Sequence, residues 1–330
     1  MENHDSRNGG VLKLTMGQSL LITSAIMFFI SLQAYAQPSP KHGLNGSHSD
    51  VTCSEGQFNP DEIIRRQKDA GYNVEDMSQW NSSTKAPKAI VFMLHGISMR
   101  AGGMKDLSDV MQSFGFDVFR ATLWGHGGNE DEIKKSSRAK WLDEVLEGYC
   151  IARERADQLH VPLYFAGFSL GALLTLDIAN GGFRQKIEFE KMVLLAPPIS
   201  LRWKILALKT LGPLSFLPMP VKVFEFKAFI DSYDATRAHG IANMIVPTLV
   251  FLDPKDELIS QDGFKKQLVK NNLNWSVINV DNSESKMPHK AHHRIDNSGY
   301  VGQAQWQIMV QEMAKFLNGP VATGLKHAQN

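Results

Sequence analysis

Charge of one sign is missing from this chain: 35 Lys and Arg stand against 34 Asp and Glu over 330 residues, a formal net charge of +1. Without a concentrated basic face the phosphate backbone has no electrostatic partner, and nucleic-acid binding is excluded as the main role. Cysteine is nearly absent. The two that occur, Cys53 and Cys150, have no second cysteine or close histidine, which excludes a redox pair or a thiolate metal site. In an exported chain these two can pair with each other, and their spacing does not say whether they meet. With 43% hydrophobic and 21% charged residues, the composition is that of a folded globular protein and excludes a disordered one.

A further absence is positional: no charged residue appears between Lys13 and Lys41. The centre of that stretch, "LLITSAIMFFISL" from Leu20 to Leu32, is followed by Ala34-x-Ala36, the pattern of a secretory signal peptide with cleavage after Ala36. The apolar centre is short of the roughly 20 residues a spanning helix needs, although extension to Leu14 or Tyr35 would supply them. An uncleaved N-terminal anchor with membrane association therefore stays open. Both readings put the remainder outside the cytoplasm, periplasmic or extracellular. Residues 37–86 read as a polar leader, with one short helical candidate, "NPDEIIRRQKDAGY", capped by Asn59 and with Pro60 at its first position.

From about residue 87 to 320 the pattern changes. Short apolar runs of strand length, "AIVFMLH", "DVFRATLWG", "LYFAGF", "KMVLLAP", "PTLVFLD" and "WSVINVD", alternate with longer helical stretches. Continuously apolar strands are covered on both faces, as in a parallel sheet. The expected fold class is α/β, a mostly parallel central sheet flanked by helices, with its site beyond the carboxyl ends of the strands. The interval 199–245 is an insertion, which in a fold of this kind commonly forms a helical cap over the site; residues 321–330 read as a tail. The cap carries many apolar side chains, among them Leu206, Leu214, Phe216, Phe224, Phe226 and Phe229, which either line an apolar pocket or pack the cap onto the domain.

Between the strand "LYFAGF" and a helix stands "GFSLG", residues 167 to 171. A chain that reverses direction in so few residues strains the backbone at Ser169 and presents its hydroxyl at a helix head, where the Leu170 N–H has no intrahelical partner. Ser169 is thus the candidate nucleophile; the plainer alternative is a helix-capping serine in a glycine-rich turn. A serine needs a base, and the base needs an orienting carboxylate. "DPKDELIS" follows the strand "PTLVFLD" and offers Asp253 and Asp256, with Asp256 favoured because it lies farther into the loop. The later loop offers His289, His292 and His293, with His292 preferred and His293 the close alternative. A metal site from His289 and His292 with Asp281 or Asp296 matches no strong ligand spacing and leaves "GFSLG" unexplained. The second oxyanion donor is expected from "LHGIS", where Gly96 admits close backbone approach and the Ile97 N–H would join that of Leu170. His95, and His126 in "LWGHGG", are read as supporting those loops.

On these motifs, "HGIS" at 95–98, "GHGG" at 125–128, "GFSLG" at 167–171, "DPKDELIS" at 253–260 and "HHRI" at 292–295, the chain resembles the α/β-hydrolase superfamily, especially its serine aminopeptidase and monoacylglycerol lipase branch. The resemblance covers roughly 87 to 317. It implies Ser169 as nucleophile, Asp256 as acid, His292 or His293 as base, and Ile97 with Leu170 as the oxyanion pair. Asp253 stands where many members carry glycine. The expected activity is hydrolysis of a small ester or lipid-like substrate with an apolar acyl group, without metal or organic cofactor. An aminopeptidase or amidase is the nearest chemical alternative, and a non-catalytic secreted binding protein on the same scaffold the alternative of another class. Oligomeric state is not legible.

Overall fold

The computed structural model describes residues 53, 56, 58–83, 86–128, 130–179, 187–211, 223–283, 285 and 291–320. The expected signal sequence 1–36, the tail 321–330, His289 and the part of the cap holding Leu214 and Phe216 lie outside the described residues. The strands are β1 (Gln79–Asn81), β2 (Ile90–Leu94), β3 (Asp117–Ala121), β4 (Leu163–Phe168), β5 (Lys191–Leu195), β6 (Thr248–Leu252) and β7 (Ser276–Asn279). They form one sheet in the order β1-β3-β2-β4-β5-β6-β7, parallel throughout except that β1 runs antiparallel to β3. Every residue of β2 to β6 is buried, the physical reason these strands read as mostly apolar runs; β7, at the sheet edge, has its two middle residues half-buried and its two ends exposed. This is the expected α/β class, with the α/β-hydrolase fold.

Helices flank the sheet: α1 (Pro60–Asp69), α2 (Lys105–Ser113), α3 (Glu130–Lys134), α4 (Arg138–Leu159), α5 (Leu170–Asp177), α6 (Trp203–Leu211), α7 (Val223–His239), α8 (Gln261–Lys270), α9 (Ser298–Val301) and α10 (Gln303–Asn318). Local chemistry sets their ends. Asn59 caps α1 by accepting from the Asp61 N–H at 2.9 Å, and Ser137 caps α4 through Lys140 N–H at 3.3 Å. His160 ends α4 in the left-handed region, at φ 53°. The last carbonyls of α10 are satisfied from the sheet: buried Lys191 of β5 donates to the oxygens of Phe316, Leu317 and Gly319 at 2.9, 3.1 and 2.6 Å.

The leader differs from its sequence reading. Helix α1 forms as expected, but Gln79–Asn81 joins the sheet as β1, with Trp80 opposite Phe119 and their ring centroids 5.0 Å apart. Three residues carry no apolar run or alternation long enough to announce a strand, and the pairing comes entirely from β3. Cys53 and Cys150 are joined as a disulfide, linking the leader to α4 across 97 residues. Arg66 of α1 adds a two-oxygen pairing with Glu147 of α4, at 2.6 and 2.8 Å.

Within the cap interval, α7 lies on the main domain. Its Ala228, Phe229, Ile230 and Tyr233 are buried in the common core, whereas Phe224 is half exposed. At the end of α5, fully buried Asp177 receives Arg138 in a fork, Nε to Oδ2 at 2.6 Å and Nη2 to Oδ1 at 2.8 Å; His239, closing α7, stands 3.6 Å from the same carboxylate. One carboxylate therefore joins α4, α5 and α7. Phe229 serves packing here, one of the two uses its composition allowed.

Candidate active site

The chain runs from β2 to β3 on one side and returns to β4 on the other. Loops leaving the carboxyl ends of β2 and β4 therefore diverge, and the space between them is the natural place for a site. Ser169 stands there, directly after β4 and ahead of α5. Its φ of 47° and ψ of −110° are strained for a non-glycine residue, and it is held by donation of its N–H to Leu195 O at 2.9 Å. Gly171 makes the turn possible: a Cβ there would lie 2.6 Å from Leu94 Cβ and 2.7 and 2.8 Å from the carbonyl oxygens of Leu94 and His95. Helix α5 thus touches β2 backbone to backbone, and the Gly171 N–H donates to His95 O at 3.0 Å.

His293 Nε2 lies 2.7 Å from Ser169 Oγ, and His293 Nδ1 lies 2.8 Å from Asp256 Oδ2. A carboxylate only accepts, so Nδ1 carries the proton and the Nε2 lone pair faces the serine hydroxyl. Asp256 is buried; its Oδ1 accepts from the N–H groups of Leu258 and Ile259 at 2.7 and 2.8 Å, leaving Oδ2 to the imidazole.

The preference for His292 is corrected. His292 turns to Asp253 instead, Nδ1 to Oδ2 at 2.9 Å. The two histidines are the central residues of a turn closed by donation of the Arg294 N–H to Ala291 O at 3.0 Å, and their rings go to different carboxylates, so only one meets Ser169; the pattern of types is the same for both. Asp253, the other acid considered, also accepts from the Lys255 N–H at 2.7 Å within its own loop. His292 and Asp253 form a second pair beside the first, outside hydrogen-bonding reach of the serine.

The loop after β2 carries the second expected donor. Among the described residues, neither the Ile97 nor the Leu170 N–H is committed to a carbonyl or side chain. Gly96 packs under Phe168, where a Cβ would meet the ring at 2.6 Å, so the loop lies close against the turn at Ser169. His95 is fully buried and bridges two strand ends: its Nε2 accepts from Leu123 N–H at 3.0 Å, and its Nδ1 donates to Gly96 O at 2.9 Å. Burial, with His126 beside it, pushes its pKa down to about 3, and the ring stays neutral as an acceptor–donor bracket. His126 donates from Nδ1 to Trp124 O at 3.0 Å and sits 4.8 Å ring to ring from His95; burial lowers its pKa too. Both supporting histidines thus bond to loop backbone, and among the described residues neither ring bonds to Ser169.

Three residues of this neighbourhood escaped sequence reasoning. Arg202 donates through Nε to the backbone oxygen of Asp256 at 2.5 Å, steadying the acid loop from the segment that enters the cap. Glu225 of α7 accepts from Ser98 Oγ at 2.8 Å, joining the cap to the loop that carries Ile97. Glu257 accepts from the backbone N–H groups of both His292 and His293, each at 2.9 Å. No motif marks Arg202 or Glu225, and Glu257 stands inside "DPKDELIS" with no role read from it, since each acts on a segment distant in sequence. Chemically, the arrangement offers a hydroxyl, a base poised to take its proton, a carboxylate that steadies the resulting imidazolium, and two amides able to receive charge on an oxygen.

The family model described as "Serine aminopeptidase, S33" matches residues 85–225. Human monoglyceride lipase is 28% identical over 133 residues, covering 39% of this chain and 43% of that protein. The thermostable monoacylglycerol lipase of Bacillus sp. (strain H-257) is 28% identical over 90 residues, 27% of this chain and 34% of that one. The matched stretches thus span less than half of either relative. Among solved structures, a soluble variant of monoglyceride lipase from Saccharomyces cerevisiae, in complex with a substrate analog, superposes with a TM-score of 0.57 at 13% identity, over 73% of this chain and 89% of that one. At that identity the likeness is one of fold.

Proposed function

The chain being an α/β-hydrolase, similar to the serine aminopeptidase and monoacylglycerol lipase branch, we propose that it is a serine hydrolase cleaving a carboxylic ester with an apolar acyl group. The observation that carries this reading is the line from Ser169 through His293 to Asp256, at 2.7 and 2.8 Å. In the proposed reaction His293 Nε2 takes the Ser169 proton as Oγ bonds to the ester carbon, and charge on the carbonyl oxygen is received by the Ile97 and Leu170 N–H groups. Collapse of the tetrahedral species breaks the carbon–oxygen bond, and His293 returns its proton to the departing alcohol. A water molecule, deprotonated by the same Nε2, then attacks the acyl-enzyme; acid is released and Ser169 regains its proton.

The monoglyceride lipase relatives favour an ester over an amide, as does the lower demand an alcohol makes on the protonation step. The description of the matching family model favours the second reading, an aminopeptidase or amidase. The disulfide between Cys53 and Cys150 supports export to an oxidising compartment, in keeping with the signal-like residues 1–36.

A fluorophosphonate probe tests the chemistry: labelling of the folded protein is expected at Ser169 and should vanish in S169A. No labelling of well-folded wild type would remove the hydrolase reading in favour of a binding protein. A panel of p-nitrophenyl esters of increasing acyl length set against aminoacyl amides then tests the substrate class, and preference for the amides would overturn the ester.

A further inference from the structure

The loop that bears the base presents two adjacent histidines, and a shift of register by one residue would put the other imidazole before Ser169. Something must hold the main chain so that His293, and not His292, meets Asp256. Between its ends the acid loop has three carboxylates that engage these two residues. Asp253 takes the His292 ring at 2.9 Å and Asp256 takes the His293 ring at 2.8 Å. Glu257 does something different: its Oε1 accepts the backbone N–H of His292 and its Oε2 that of His293, both at 2.9 Å. The acid loop is itself braced, by Arg202 on the oxygen of Asp256 and by the bridge between Leu201 and Ile259.

We infer that Glu257 is a positioning residue for the reaction proposed above: its carboxylate grips the main chain of the base loop by two amides and fixes the register and direction of the His293 imidazole. Glu257 follows Asp256 directly, so the group that orients the ring and the group that holds its backbone share one braced support. A carboxylate accepting two amide protons makes charge-assisted bonds with defined direction, which a neutral side chain reproduces only in part. Misplacement of a reacting group by about 1 Å costs on the order of 10²-fold in rate, so a clamp on backbone position bears on turnover while leaving substrate affinity alone. The claim rests on Ser169 and His293 being the reacting pair, and it goes beyond them in assigning a task to a side chain that touches no reacting atom.

The test compares wild type, E257A and E257Q. In E257Q one oxygen remains as an acceptor while the new NH₂ opposes the other amide. For p-nitrophenyl butyrate, kcat is expected to fall about 10- to 100-fold in E257A and less in E257Q, with KM held within about twofold. The proton NMR signal of the His293 Nδ1–H, bonded to Asp256 and assigned by its loss in H293A, should broaden or move upfield in the same order. E257A keeping kcat within about twofold of wild type, or the Nδ1–H signal standing unmoved in either folded variant, would overturn the assignment. If E257A does not fold, E257Q alone decides by the same two readouts. Should wild type prove unreactive toward both ester and fluorophosphonate, the hydrolase reading falls, while the Nδ1–H signal still passes judgement on the clamp.

Discussion

His293 Nε2 and Ser169 Oγ stand 2.7 Å apart across 124 residues of sequence, while the neighbouring His292 is turned to Asp253. Substituting the two histidines separately should therefore give unequal results. In H293A, kcat/KM on a p-nitrophenyl ester is expected to drop by at least about 10³-fold, because Ser169 loses the base that the proposed reaction assigns to it. In H292A most of the activity should remain. Equal losses in two folded variants, read by circular dichroism alongside the kinetics, would contradict this division.

Burial of His95 carries a pH signature. Its folded pKa is depressed to about 3 from an ordinary value near 6.5, so between those values the unfolded chain binds a proton that the folded one refuses. Its contribution to stability is complete above pH 6.5 and is lost progressively as the pH falls toward 3. Urea unfolding at pH 7.5 and 4.5 should show this group removing about 2–3 kcal/mol over that interval. The H95Q variant should lose less stability than wild type between the same two pH values.

Arg138 answers fully buried Asp177 with a two-bond fork. Removing the arginine leaves a carboxylate without its main counter-charge where α4, α5 and α7 converge. R138A is expected to lose about 3 kcal/mol of unfolding free energy, measurable in denaturant. R138K should recover only part, since an ammonium cannot reproduce the planar fork.

Gly171 touches the backbone oxygens of Leu94 and His95 too closely to admit a side chain. G171A must push α5 away from β2, moving Ser169 together with the Leu170 amide. An expected cost of about 1–3 kcal/mol in stability should come with a loss of fluorophosphonate labelling larger than the loss of folded protein. Full labelling in the variant would mean that the turn tolerates the displacement.

The disulfide closes a long loop between the leader and α4. A C53A/C150A double variant, or wild type unfolded in the presence of dithiothreitol, should be less stable by about 2–4 kcal/mol. Labelling at Ser169 should persist under native conditions, because neither cysteine is among the residues bonded to Ser169, His293 or Asp256.

What the amino-acid sequence determined by itself was whatever depends on near neighbours. Five buried strands, β2 to β6, and the half-exposed β7 were legible as short, mostly apolar runs, since a strand covered on both faces must be largely apolar. Ser169 was legible because the strand, the sharp turn with its glycines and the helix all lie within a few residues of it. Asp256 was preferred for its distance into the loop, on the same local grounds. What required the tertiary structure was every choice between chemically equal candidates. His292 and His293 have the same type in the same loop, and only the facing carboxylates of a segment more than 30 residues away distinguish them. The strand β1, the pairing of Cys53 with Cys150, and the tasks of Arg202, Glu225 and Glu257 are of this kind. Each exists through a partner contributed by another part of the chain, and neither hydrophobic period nor turn chemistry records where that partner will stand.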